Sequence, residues 1–151
     1  ARRTARRDEI VNALDLMAGV RDYLTDARRL GLRIGIASSS TRGWVCGHLE
    51  RLAVREGWDA IVCREDVQDA KPSPELYQKA VGLLGVAPQE ALALEDSPNG
   101  IAAAKAAGLR CVAVPNPLTA DLDLRQADMR IASLAELSLG ELIRRLDGSA
   151  V

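Results

Sequence analysis

Ala91-Leu92-Ala93-Leu94-Glu95-Asp96-Ser97-Pro98-Asn99-Gly100 decides the reading of this chain. Four apolar residues form a short run of strand length, and it stops on two adjacent acids. Ser97 and Pro98 then supply the N-cap and first-turn proline of a helix. Gly108 supplies its glycine stop. The stretch is therefore a strand, a polar rim and a helix. The rest of the chain keeps this cadence. Upstream, Val20, Leu24, Ala27 and Leu30 mark one face of a helix that stops at Gly31, and Arg33-Ile34-Gly35-Ile36-Ala37 is a strand ending in Ser38-Ser39-Ser40. Trp44, Val45, Leu49 and Leu52 mark a second helix, and Ala60-Ile61-Val62-Cys63 a second strand. Ser73 and Pro74 read as N-cap and first residue of a helix carrying Leu76, Tyr77, Ala80, Val81 and Leu84, closed by Gly85. Downstream, Cys111-Val112-Ala113-Val114 and Met129-Arg130-Ile131 are strands, and a last helix spans Leu134 to Leu146. Short apolar strands alternating with amphipathic helices predict an α/β fold, a parallel sheet with helices on both faces.

Composition agrees with such a core. The chain has 151 residues, 48% hydrophobic and 27% charged, with a formal net charge of -1 and no Phe. The core must be built from Ala, Leu, Val and Ile. Disordered and collagen-like classes are excluded. No apolar run approaches the ~20 residues of a membrane helix, and no secretory signal opens the chain. Arg2, Arg3, Arg6 and Arg7 read as the solvated face of a helix over residues 4 to 18, carrying Ile10, Val11, Leu14 and Met17 on its other side. With balanced charge and few aromatic residues, the chain offers no nucleic-acid surface. Cys46, Cys63 and Cys111 lack C-x-x-C spacing and read as reduced thiols of a cytoplasmic protein. His48, the single histidine, is a helix residue between Trp44 and Leu52 and supports neither a multi-histidine metal site nor a Ser-His-Asp triad.

In parallel sheets ligands bind beyond the carboxyl ends of the strands. Those ends carry Ser38, the loop from Arg64 to Lys71, the Glu95-Asp96 pair and Asn116. Two adjacent carboxylates at a sheet rim repel each other, and a hard cation such as Mg2+ relieves that. Lys71, ahead of Pro72-Ser73-Pro74, is a fixed ammonium suited to neutralising a phosphoryl group. Ser38 and Ser39 offer a hydroxyl and successive N–H groups to phosphate oxygens. Arg42 and Asn116 are candidate substrate contacts on the same rim. A nucleotide-binding domain of the dinucleotide or P-loop type is disfavoured, because no G-x-G-x-x-G or G-K-[ST] loop follows a strand.

Taken in order, strand-Ser38, Lys71-Pro72 and Leu94-Glu95-Asp96-Ser97-Pro98-Asn99-Gly100 resemble the haloacid dehalogenase-like superfamily, in its phosphatase and β-phosphoglucomutase branch. The resemblance covers residues 19 to 147. It implies a Rossmann-like sheet, Mg2+ dependence and phosphoryl transfer through an aspartyl-phosphate on a small phosphorylated metabolite, such as a sugar phosphate. It gives Ser38 and Lys71 catalytic and phosphate-binding roles, adds Ser39 to the phosphate site, and makes Glu95 and Asp96 the metal ligands.

One element of the family pattern is absent. Its first motif, a strand ending in D-x-D-G-T, supplies the nucleophile. Asp121-Leu122-Asp123 has the spacing but no apolar strand before it and no Gly-Thr after it. The expectation is a core domain over residues 19–151 that lacks its first, central strand, preceded over 1–18 by the remnant of a helical cap or linker. Such a chain would be part of a longer protein, or would take the strand from a second chain. Alone, it is expected neither to turn over phosphate esters nor to fold as stably as the parent. Two alternatives stay open: a non-catalytic phosphate- or partner-binding fragment, and a phosphomutase of the β-phosphoglucomutase type.

Overall fold

The computed structural model describes residues 11–148. Helix α1 (Val20–Arg29) leads into strand β1 (Gly35–Ala37), helix α2 (Arg42–Arg51) and strand β2 (Ala60–Val62). A 3-10 turn follows at Arg64–Asp66, then helix α3 (Glu75–Leu84), a second 3-10 turn at Pro88–Glu90, and strand β3 (Leu92–Glu95). The chain closes with α4 (Pro98–Ala106), β4 (Arg110–Ala113), β5 (Met129–Arg130) and α5 (Leu139–Leu146). Every strand pair is parallel, as the alternation predicts. Among the described residues the strands form two sheets, β1-β2 and β3-β4-β5, rather than one continuous sheet.

Strand β4 shows why helices cover both faces. Its side chains alternate. Cys111 and Ala113 face one layer, with Tyr77 and Val81 of α3 and Ile101, Ala103 and Ala104 of α4. Val112 and Val114 face the other, with Tyr23 and Ala27 of α1 and Leu139 and Leu142 of α5. Ala37 packs against the α3–α4 side of both sheets and so ties β1 to the larger one. Leu142 is fully buried. We expect Leu142→Ala to cost about 3 kcal/mol, read as a lower urea midpoint at unchanged slope.

Local chemistry sets the boundaries. Ser97 caps α4, its hydroxyl accepting the Gly100 N–H at 3.2 Å. Gly85 takes the left-handed conformation that ends α3. Strands β2 to β5 differ by one residue at one or both ends from the sequence reading, and four other boundaries differ as well. Residues 4–10 of the expected helix 4–18 and the Arg2–Arg7 cluster lie outside the described residues, and the helical turn at 11–13 ends before Leu14. Helix α3 starts one residue late, with Pro74 at its N-cap, because the Ser73 hydroxyl bonds the Glu75 N–H in a turn. Strand β1 is shorter, since Ile34 spends its N–H on Asp59. The last helix begins at Leu139, where Ser138 caps it by accepting the Glu141 N–H. No helix among the described residues is long and apolar enough to cross a membrane.

Candidate active site

The carboxyl end of β3 builds the site. Glu95 is its last residue and Asp96 the next, so the pleat sends their side chains to different neighbours. Glu95 is 8% exposed. One oxygen, Oε1, accepts from the Lys71 ammonium and from the Tyr77 hydroxyl. The carboxylate lies so close over Gly100 of α4 that a Cβ there would overlap it. Asp96 turns the other way, and its Oδ2 accepts from Asn116 Nδ2 at 2.6 Å. Asn116 is itself fixed after β4, its N–H on Thr119 Oγ1 at 3.0 Å and its Oδ1 accepting the Leu118 N–H at 2.8 Å.

Lys71 arrives on the loop after β2. Glu75, at the start of α3, holds that loop through Oε2, which accepts the N–H groups of Gln68 at 2.9 Å and Asp69 at 3.3 Å. Ser38 follows β1, its N–H on the Val62 carbonyl at 2.9 Å. Its Oγ accepts the Ser40 N–H at 3.1 Å, so the hydroxyl proton is left to donate elsewhere. Ser39 is exposed on the same loop. Arg42 is drawn toward the end of β2: its backbone N–H donates to Glu65, and its guanidinium to Asp66 and to the Ile61 carbonyl at 3.2 Å. The Cys63 N–H, with Arg42 beside it, holds the Asp66 carboxyl below the usual range.

The structure thus brings together Lys71 with Glu95, and Asp96 with Asn116. It places Ser38 and Ser39 after β1 and ties Arg42 to acidic residues. Sequence reading missed Tyr77, which helical periodicity assigned simply to the core, and Glu75 and Gly100. Burial, reinforced by Glu95, raises the Tyr77 phenol well above its ordinary value, so it stays a donor. Burial also pushes the Cys111 thiol up to about 12, which leaves it a small apolar core group. Cys63 is likewise buried, and His48 packs edge-on against Trp44 at 4.3 Å.

A family model for haloacid dehalogenase-like hydrolases matches residues 2–114. The chain belongs to this family. Some of its relatives carry phosphatase names. YhcW of Bacillus subtilis (strain 168), which carries a phosphatase name, is 47% identical over 129 residues, covering 85% of this chain and 59% of YhcW. Hexitol phosphatase B of Escherichia coli (strain K12) is 37% identical over 130 residues, covering 85% of this chain and 58% of that protein. CbbY from Rhodobacter sphaeroides, solved in complex with phosphate, superposes with a TM-score of 0.77 at 36% identity, covering 85% of this chain and 59% of CbbY. A variant of CbbY was solved with xylulose-(1,5)bisphosphate. The chain thus spans under two thirds of the length of these relatives.

Within this family fold, hard oxygen donors at the rim are the natural ligands of a divalent ion. Among the described residues no three His, Cys, Asp or Glu side chains cluster as a ligand set. The donors present are the adjacent carboxylates of Glu95 and Asp96. Asp96 fits Mg2+, which takes one or two carboxylates and fills its octahedron with water and substrate phosphate, whereas Glu95 faces Lys71 and Tyr77. Asp96 is the freer of the two, because Lys71 and Tyr77 already occupy Glu95 Oε1.

Proposed function

We propose that this chain carries most of the active site of a cytoplasmic, Mg2+-dependent phosphatase for a small phosphorylated metabolite, with sugar phosphates the favoured class. The observation behind this reading is the Lys71–Glu95 pair, with its carboxylate buried, adjacent to the Asp96–Asn116 pair at the carboxyl end of β3. A hexitol phosphatase and a protein solved with phosphate and with a sugar bisphosphate support the substrate class.

Each residue then has a task. Lys71, held by Glu95, sets a positive charge against the phosphoryl oxygens. Ser38 donates its free hydroxyl proton to one of those oxygens, and the Ser39 backbone N–H helps hold the group. Asp96 would hold Mg2+, with Glu95 beside it, and Asn116 keeps Asp96 turned toward the rim. When bound, the ion supplies charge neutralisation on the transferring group. Arg42 and Asn116 border the region that the rest of the substrate would occupy.

The nucleophile enters on a strand between β1 and β3. Among the described residues β1 pairs with β2 and β3 with β4, so each presents an unpaired backbone edge. Unpaired edges take up an added strand. Such a strand, from elsewhere in the parent protein or from a second chain, would place a carboxylate beside Ser38 and Asp96. The test supplies the chain with a peptide whose apolar strand ends in D-x-D-G-T and follows p-nitrophenyl phosphate hydrolysis. Turnover is expected only with peptide and Mg2+ together, and Asp96→Ala should abolish it. No turnover with the peptide, or turnover that survives Asp96→Ala and chelation, would refute the reading.

A further inference from the structure

We propose that Tyr77 is a positioning residue for Lys71, acting through both its hydroxyl and its ring. The inference rests on the reading of Lys71 as the cation that faces the phosphoryl group. Tyr77 lies in the first turn of α3 and is 8% exposed. Its hydroxyl donates to Glu95 Oε1, the oxygen that also accepts from Lys71. Its lone pair accepts from Lys71 Nζ at 3.5 Å. The same ammonium lies 4.8 Å from the ring centroid of Tyr77. Nζ, Oη and Oε1 therefore close a triangle, and the ring forms its wall.

An ammonium has three N–H donors. The triangle uses two, on Glu95 and on Tyr77, and their directions fix the third. A lysine bound to Glu95 alone would swing about that one bond. The phenol removes the freedom, and the ring adds attraction for the cation in a partly desolvated place. Phe at this position would fill the same space and keep the ring but lose the hydrogen bonds. The hydroxyl is thus what turns a core aromatic residue into a support for the lysine.

The test is competitive labelling of the 151-residue chain with trinitrobenzenesulfonate, read by peptide mass spectrometry. Lys71, Lys79 and Lys105 are its lysines, so the latter two serve as internal references. Lys105 is held by Asp128 and makes no hydrogen bond to Tyr77 among those described. Tyr77→Phe is expected to raise Lys71 labelling about tenfold relative to Lys105, the loss of one hydrogen bond to a charged group. Tyr77→Leu, which also removes the ring, should raise it further. An unchanged ratio in Tyr77→Phe would overturn the proposal. So would all three lysines rising in step, or loss of cooperative unfolding in Tyr77→Phe, since the phenol would then serve the fold alone. The measurement uses neither substrate nor turnover, so an inactive enzyme would count against the phosphatase reading and leave this result standing.

Discussion

Gly100→Ala is expected to cost about 3 kcal/mol in folding stability and to dismantle the site at the same time. The reason is the seat of Glu95. Its carboxylate lies directly over Gly100, in the first turn of α4, where a methyl group would overlap both oxygens. Helix α4 cannot withdraw, because Ile101, Ala103 and Ala104 pack its next turns against β4. Glu95 cannot simply turn away either, since it would abandon the Lys71 ammonium and the Tyr77 hydroxyl. Backbone strain plays no part here, as Gly100 has no positive φ. Gly82 of α3 is the control, a helical glycine whose Cβ would meet open space. There alanine should stabilise by about 0.5–1 kcal/mol. Urea unfolding of the two variants checks the contrast. Equal midpoints for Gly100→Ala and Gly82→Ala would show that the crowding at Glu95 relaxes without cost.

The contrast between local and distant partners also explains what the sequence made legible. Ser97 and Gly85 act on backbone within a few residues, so cap and stop chemistry place the ends of α4 and α3 closely. The alternation of β4 fixes two covered faces before any partner is known. By contrast, Leu134 and Leu137 have helical spacing yet anchor a loop, and Ser138 starts the helix after them. Arg42 has the position of a rim cation, but Asp66, 24 residues on, captures its guanidinium. Tyr77 has the spacing of a core residue, and nothing local says that its hydroxyl meets a carboxylate 18 residues away. The Glu95-Asp96 pair lies between these cases. Adjacency suggested shared work, whereas the period of a strand already separates the two side chains, one toward Tyr77 and the other toward Asn116.

The second large effect concerns that separation, because the site's stability and its chemistry then come apart. The side chains of Lys71 and Glu95 are 15% and 7% exposed. Lys71→Met leaves the Glu95 carboxylate buried without its counter-charge, and a loss of about 3–5 kcal/mol is expected. Glu95→Leu strands the ammonium and the phenol and should cost a similar amount. Removing the whole triangle at once, as Lys71→Met with Glu95→Leu and Tyr77→Phe, takes away all three of its polar heads and fills the space with apolar atoms, leaving only the Asp96 N–H without its Glu95 acceptor. Stability should then return to within about 1–2 kcal/mol of the parent, a coupling that only interacting residues show. Activity should not return. In the strand-complemented assay Lys71→Met and the triple variant are both expected to lose about 100-fold or more in turnover, since neither sets a cation against the phosphoryl group. Additive losses in unfolding would mean that the triangle is not coupled as its geometry implies. Turnover recovered along with stability in the triple variant would mean that Lys71 supports the fold and not the reaction.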